Sequence, residues 1–327
     1  MTFCLSKGLR RLVRRLGGQP LRAALVLCLI SAPRCTSQVP PVGRETASVL
    51  LSEATGWMDA GSYHVARQKL AEILRRSSFT EQNRNVLFWL VQSAFKDQEY
   101  EEAYQWASEF VLEYPNDARR VTVLYVQGVS AYQTRRLDEA ASALGAFLKE
   151  GGNHPQRGVG CFWHAMAELD RGDTTAAQDD IRQCYDDPSA RAYRDYILMG
   201  WALSLERRGD LEGAAGRLEQ LLSDFPQSEL GTDARLRVAS ISLRQGRLAR
   251  TLNMLEQATP AYPSQRQEYL LLQAEANIQL GRYQAARDAY DEFATRFSGS
   301  PHARNARYGL GWSLVKLGDF PGAQAVF

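Results

Sequence analysis

Apolar residues along this chain recur at helical spacing in paired segments, each pair joined by a short polar turn, and the pairs themselves repeat. An alanine early in each second segment, replaced once by threonine, marks the period. It gives Ala66, Ala103, Ala140, Ala177, Ala214, Thr251, Ala286 and Ala323, spaced by 37 residues except for one interval of 35. Five residues before the marker stand Gly61, Gln98, Arg135, Gly172, Gly209, Gly246, Gly281 and Gly318. Glycine there takes the left-handed conformation that ends a helix. Twelve residues before the marker the side chain is small in seven cases of eight, Val91 being the exception. Each unit is therefore predicted to be a helical hairpin with close backbones, Gly128 facing Ala140 and Ala202 facing Ala214. Larger groups after the marker, such as Leu144 with Phe147 and Tyr290 with Phe293, face the next hairpin. Pro115, Pro226 and Pro263 are expected to close second helices, because proline cannot donate the backbone hydrogen bond.

The order small, Gly, aromatic, Ala, aromatic, as in GWSLVKLGDFPGA and ARDAYDEFATRF, resembles the tetratricopeptide repeat (TPR), whose usual unit is about 34 residues. The resemblance implies an all-α fold, a right-handed TPR superhelix of about eight hairpins over residues 47–327 with the last repeat incomplete. On that reading the sequence is the N-terminal part of a longer chain. The longer unit, with FPQSELGTDARLRVA and FSGSPHARNARYGLGWSLVKLGDF leading from a second helix into the next first helix, is similar to bacterial envelope TPR proteins. Those are of the outer-membrane assembly lipoprotein and Tol-Pal-associated kinds.

Charge changes the picture only once it is divided. The net charge is +2, but the first 44 residues carry eight basic residues and no acid, leaving 31 basic against 37 acidic residues beyond them. An acidic body disfavours binding to a phosphate backbone, so nucleic acid is not an expected partner. Residues 1–37 read as an export signal peptide: a basic start, the apolar run AALVLCLISA, then small residues, with cleavage after Ser37 or Ala32. An uncleaved anchor, a mitochondrial-type presequence and a displaced start codon are the competing readings. Ten apolar residues fall short of a bilayer span. Arg34 stands where a lipidated Cys35 would want a small neighbour, a departure from the envelope relatives. Residues 38–46 read as a linker, and the expected location is periplasmic or outer-membrane-associated.

The first helices carry the candidate chemistry. In TPR hairpins the offset occupied here by Phe88, Tyr125, Phe162, Met199, Leu236 and Tyr308 faces the concave surface. The resemblance thus implies a groove in which these six contact a partner segment, with aromatic anchors at its centre. The competing reading is that they close a tight superhelix on itself. Cys161, His164 and Cys184 fall in one repeat, and three readings stand: a Cys161–Cys184 disulfide, a three-ligand metal site with His164, or small apolar cysteines in a helix interface. The acid pairs Asp179–Asp180 and Asp186–Asp187 read as a solvated helix end rather than a catalytic pair or calcium site, and His154 in GGNHP as a surface residue. No GxxxxGK[ST], HExxH or GxSxG occurs. No catalysis, metal or cofactor is expected. The expected function is a noncatalytic scaffold of the bacterial envelope that binds a protein or peptide partner. The alternatives are a TPR subunit of a polysaccharide synthesis or export complex, and the TPR region of a larger protein whose activity lies beyond residue 327.

Overall fold

The computed structural model describes residues 44–76 and 80–327, in two compact units that meet in sequence between Ala192 and Tyr193. The expected signal peptide at 1–37 lies outside the described residues, as do the first six positions of the expected linker at 38–46. Its last three do not: the first helix already begins at Arg44.

The first unit contains α1 (Arg44–Asp59), α2 (Tyr63–Arg76), α3 (Thr80–Lys96), α4 (Tyr100–Glu113), α5 (Arg120–Gln133), α6 (Leu137–Glu150), α7 (Arg157–Arg171) and α8 (Thr174–Asp186). A 3₁₀ stretch over Pro188–Tyr193 follows. The second unit contains α9 (Arg194–Arg207), α10 (Leu211–Asp224), α11 (Gly231–Arg244), α12 (Leu248–Glu256), α13 (Pro263–Gln279), α14 (Tyr283–Arg296), α15 (Ala303–Leu317) and α16 (Phe320–Val326). Among the described residues every regular element is a helix, and the helices pair into the eight hairpins the period predicts.

One backbone device closes every first helix. All eight turn positions have positive φ, the six glycines as well as Gln98 at 64° and Arg135 at 65°. In each hairpin the residue after the turn donates its N–H to the carbonyl five residues back, for example Glu99 to Ala94, Arg136 to Ala131 and Asp173 to Glu168. That bond satisfies a carbonyl the helix end would otherwise leave bare, and it sets where the second helix starts. Where the second helix opens on aspartate, the carboxylate also caps it: Asp173 accepts from Ala176 N–H, Asp210 from Gly213 and Asp319 from Gly322.

The loops between hairpins share a second device. Asp117, Asp187, Ser228 and Ser300 each accept, through the side chain, the N–H two residues ahead. His154 does the same with Nδ1, from Gln156. These local bonds compete with helix continuation and turn the chain into the next hairpin. Proline behaves as expected at two positions of three. α4 and α10 stop short of Pro115 and Pro226, but Pro263 opens α13, where its missing N–H costs nothing. α12 is only nine residues long and ends before Thr259–Pro260, since the residue preceding proline is pushed out of the helical region.

Neighbouring hairpins are held in register by polar pairs about one repeat apart. Arg136 reaches Glu101 at 2.7 Å, Arg171 reaches Asp138 at 2.8 Å and Arg247 reaches Glu212 at 2.9 Å. Each links a cation beside one turn to the first turn of the preceding second helix. Exposed pairs of this sort contribute about 0–1 kcal/mol each, so they choose the register more than they hold the fold. The core does that, with Phe110, Phe147, Trp163 and Phe293 fully buried between helices.

Candidate functional site

The six residues expected to line a groove do not share one environment. Tyr125, Phe162 and Leu236 are 1–2% exposed and Met199 9%, whereas Tyr308 is 65% exposed. Four of the six are therefore packed inside the fold. Successive first helices touch one another in the first unit, α3 on α5 and α5 on α7, so the face expected to be open is covered by the neighbouring repeat. Tyr125 sits between the rings of Phe95 and Phe147, with centroids 6.2 and 5.5 Å away. Leu236 belongs to an apolar cluster with Ala239, Leu255 and Ala258.

Phe88 is half-buried, and its face is roofed by the Arg119 guanidinium 4.9 Å from the ring centroid. Asp117 holds that guanidinium through two hydrogen bonds of 2.9 Å. The hydrogen bonds from Arg119 outweigh partial burial and hold the Asp117 carboxyl down to about 2. Phe88 is thus covered within its own unit. On α15, Tyr308 stands beside Phe327 with ring centroids 5.9 Å apart, and Trp312, four residues on, has Lys316 Nζ 4.7 Å from its ring.

The fourth hairpin gathers the other chemistry. Cys161 on α7 and Cys184 on α8 bring their sulfurs together, with Cα atoms 5.6 Å apart. One turn nearer Gly172, His164 Nδ1 is 2.6 Å from Asp180 Oδ2, and its Nε2 lies 3.8 Å from Glu168. Glu168 is itself buried and receives Arg171 through both carboxylate oxygens. Among the described residues no three His, Cys, Asp or Glu side chains are placed to hold a metal ion. Asp180 therefore departs from the expected solvated helix end. His164 lies eight residues before Gly172 and Asp180 eight after, the same symmetry about the turn that pairs the two cysteines, so the partner was readable from spacing.

His154 also departs from its surface reading. It is half-buried, with Nε2 3.1 Å from Thr122 Oγ1 and its ring edge-on to Phe147. Because Nδ1 accepts a backbone N–H, the ring is neutral in the fold, and burial pushes its pKa down.

The two histidines give opposite pH dependences. Burial opposes the charge on His164, but the Asp180 hydrogen bond, the Asp180 and Glu168 charges and the Ala141 carbonyl together win, and its pKa lies above the ordinary value. Its contribution to stability is therefore full below about pH 6.5 and is lost as pH rises through the raised value. His154, with a depressed pKa, contributes above about pH 6.5 and loses that contribution as pH falls. His164→Gln should flatten the alkaline limb of a urea-midpoint profile and His154→Gln the acidic limb. Identical limbs in variant and parent would contradict the assignment.

Comparison with known families gives two overlapping matches. A family model described as outer membrane lipoprotein, YfiO, matches residues 44–139, and a tetratricopeptide repeat-like domain model matches residues 121–306. Among solved structures the chain is similar to a tetratricopeptide repeat protein from Parabacteroides merdae, at 13% identity and TM-score 0.55, over 83% of this chain and 99% of that one. It is also similar to the apo form of RapI, at 11% identity and TM-score 0.58, over 87% and 85% of the two chains. Pseudomonas aeruginosa pilF matches at 16% identity and TM-score 0.52, over 71% and 98%. At such identities the likeness concerns the fold. Among curated proteins there is no match.

Proposed function

The chain belongs to the tetratricopeptide repeat-like family, and from that premise we propose that it is a noncatalytic adapter of the bacterial cell envelope that holds a partner protein. The observation that carries the envelope reading is the match of residues 44–139, α1 through the start of α6, to the outer membrane lipoprotein model. A stack of hairpins presents a broad side-chain surface fixed by a rigid repeat core, which suits recognition of another chain. No helix among the described residues is long and apolar enough to cross a membrane.

The partner contacts exposed side chains of the repeat surface, such as Leu112 on α4, and not Tyr125, Phe162, Met199 or Leu236, which the repeat core has taken up. A photo-crosslinking residue placed at Leu112 in living cells, with one at Tyr125 as the buried control, tests this reading. A discrete envelope-protein adduct at Leu112 alone is the expected result. Equal yields at both positions would remove the assigned surface, and recovery of the chain in the cytosolic fraction would remove the envelope role.

A further inference from the structure

We propose that Cys161 and Cys184 form a reversible disulfide that latches α7 to α8 in the fourth hairpin. Their Cα separation of 5.6 Å lies inside the roughly 4.4–6.8 Å range a disulfide spans, and both side chains are buried. The link joins residues 23 apart in sequence, toward the open end of the hairpin far from the Gly172 turn. That is where the turn's own hydrogen bonds give least support. Formation removes one hydrogen from each thiol and joins the sulfurs. The two electrons and two protons pass to a disulfide oxidant such as oxidised glutathione, whose S–S bond breaks to give two thiols.

The reduced state also has a place in the fold. Cys161 Sγ lies 3.2 Å from the Asp180 carbonyl oxygen, an acceptor already in position for its S–H once the sulfur bond opens. Cys184 is fully buried, an environment that suits a neutral thiol. Between these cysteines and the turn, the His164–Asp180 hydrogen bond keeps the same two helices aligned without the cross-link. Oxidation therefore tightens the hairpin and reduction loosens it, with the helices retained in both states. An oxidising compartment, of the kind an exported chain enters, would keep the latch closed. The latch stands on hairpin geometry and is independent of where a partner binds.

The test compares the full chain, purified without reductant, before and after dithiothreitol, by non-reducing peptide mapping and hydrogen exchange. Peptide mapping should recover Cys161 and Cys184 in one linked peptide. Reduction should speed exchange of the α7 and α8 amides by up to about 300-fold, the factor expected when a loop of this size loses its cross-link. Exchange in α13 and α14 and the far-UV helical signal should stay unchanged, and oxidised glutathione should restore the slow rates. The double variant Cys161→Ala, Cys184→Ala should not respond to either reagent. The redox comparison uses the unmodified chain, so it decides the matter whether or not that variant folds. Absence of the linked peptide under oxidised glutathione, or equal exchange in both states, overturns the disulfide. Loss of helical signal on reduction overturns the reversible latch and leaves a fixed structural bond.

Discussion

Tyr125→Ala is expected to destabilise the first unit by about 3–4 kcal/mol. The ring is 1% exposed and lies between Phe95 and Phe147, so its removal opens a cavity that three packed helices cannot close. Aromatic pairs of this geometry contribute about 0.5–1.5 kcal/mol beyond the area they bury, which places the loss above that of an aliphatic truncation at a similar site. A groove anchor would behave otherwise: its truncation would leave the unfolding midpoint in place and weaken partner capture. Urea unfolding followed by circular dichroism, together with crosslinking yield from Leu112 under native conditions, separates the two. A lowered midpoint with capture at Leu112 retained is the expected pair. An unchanged midpoint with lost capture would restore Tyr125 to a binding surface.

Why the period was readable while the burial of the stripe was not follows from what each depends on. The turn ladder rests on local chemistry, a left-handed residue and the N–H that reaches back five positions, and it survives even at Gln98 and Arg135, where no glycine is present. Exposure of the stripe depends on how closely successive hairpins approach, which no single repeat specifies. The signal for close approach was present in RGVGCFW at 157–163. A Cβ on Gly160 would meet the Phe147 ring at 2.3 Å, and one on Gly158 would meet Ala190 at 2.4 Å. Gly128 likewise lies tightly against Leu144 of its own hairpin, with a virtual Cβ 2.4 Å from Leu144 Cγ. Small residues in a first helix thus report contact with the next layer as well as with their own hairpin, and the stripe beside them is buried as a result. Pro263 went unread for a related reason, since proline opens helices as readily as it ends them, and only the residues behind it decide which.

Trp163 provides the second large effect and a finer test of the same core. It is fully buried, with its ring 5.3 Å from Tyr132 and 5.6 Å from Phe162, and among the described residues its indole Nε1–H has no acceptor. Trp163→Ala should therefore cost about 3–5 kcal/mol through cavity formation. Trp163→Phe removes the orphaned donor, whose burial without a partner costs about 1–3 kcal/mol, while keeping most of the apolar fill. The two terms oppose each other, and the Phe variant should fall within about 1 kcal/mol of the parent chain in urea unfolding. A Phe cost approaching the Ala cost would mean that the shape of the full indole is what seats Tyr132, whose hydroxyl donates to Asp170 at 3.0 Å across the hairpin boundary. In that case the joint between the third and fourth hairpins would be set by ring shape, and the polar pair would follow from it.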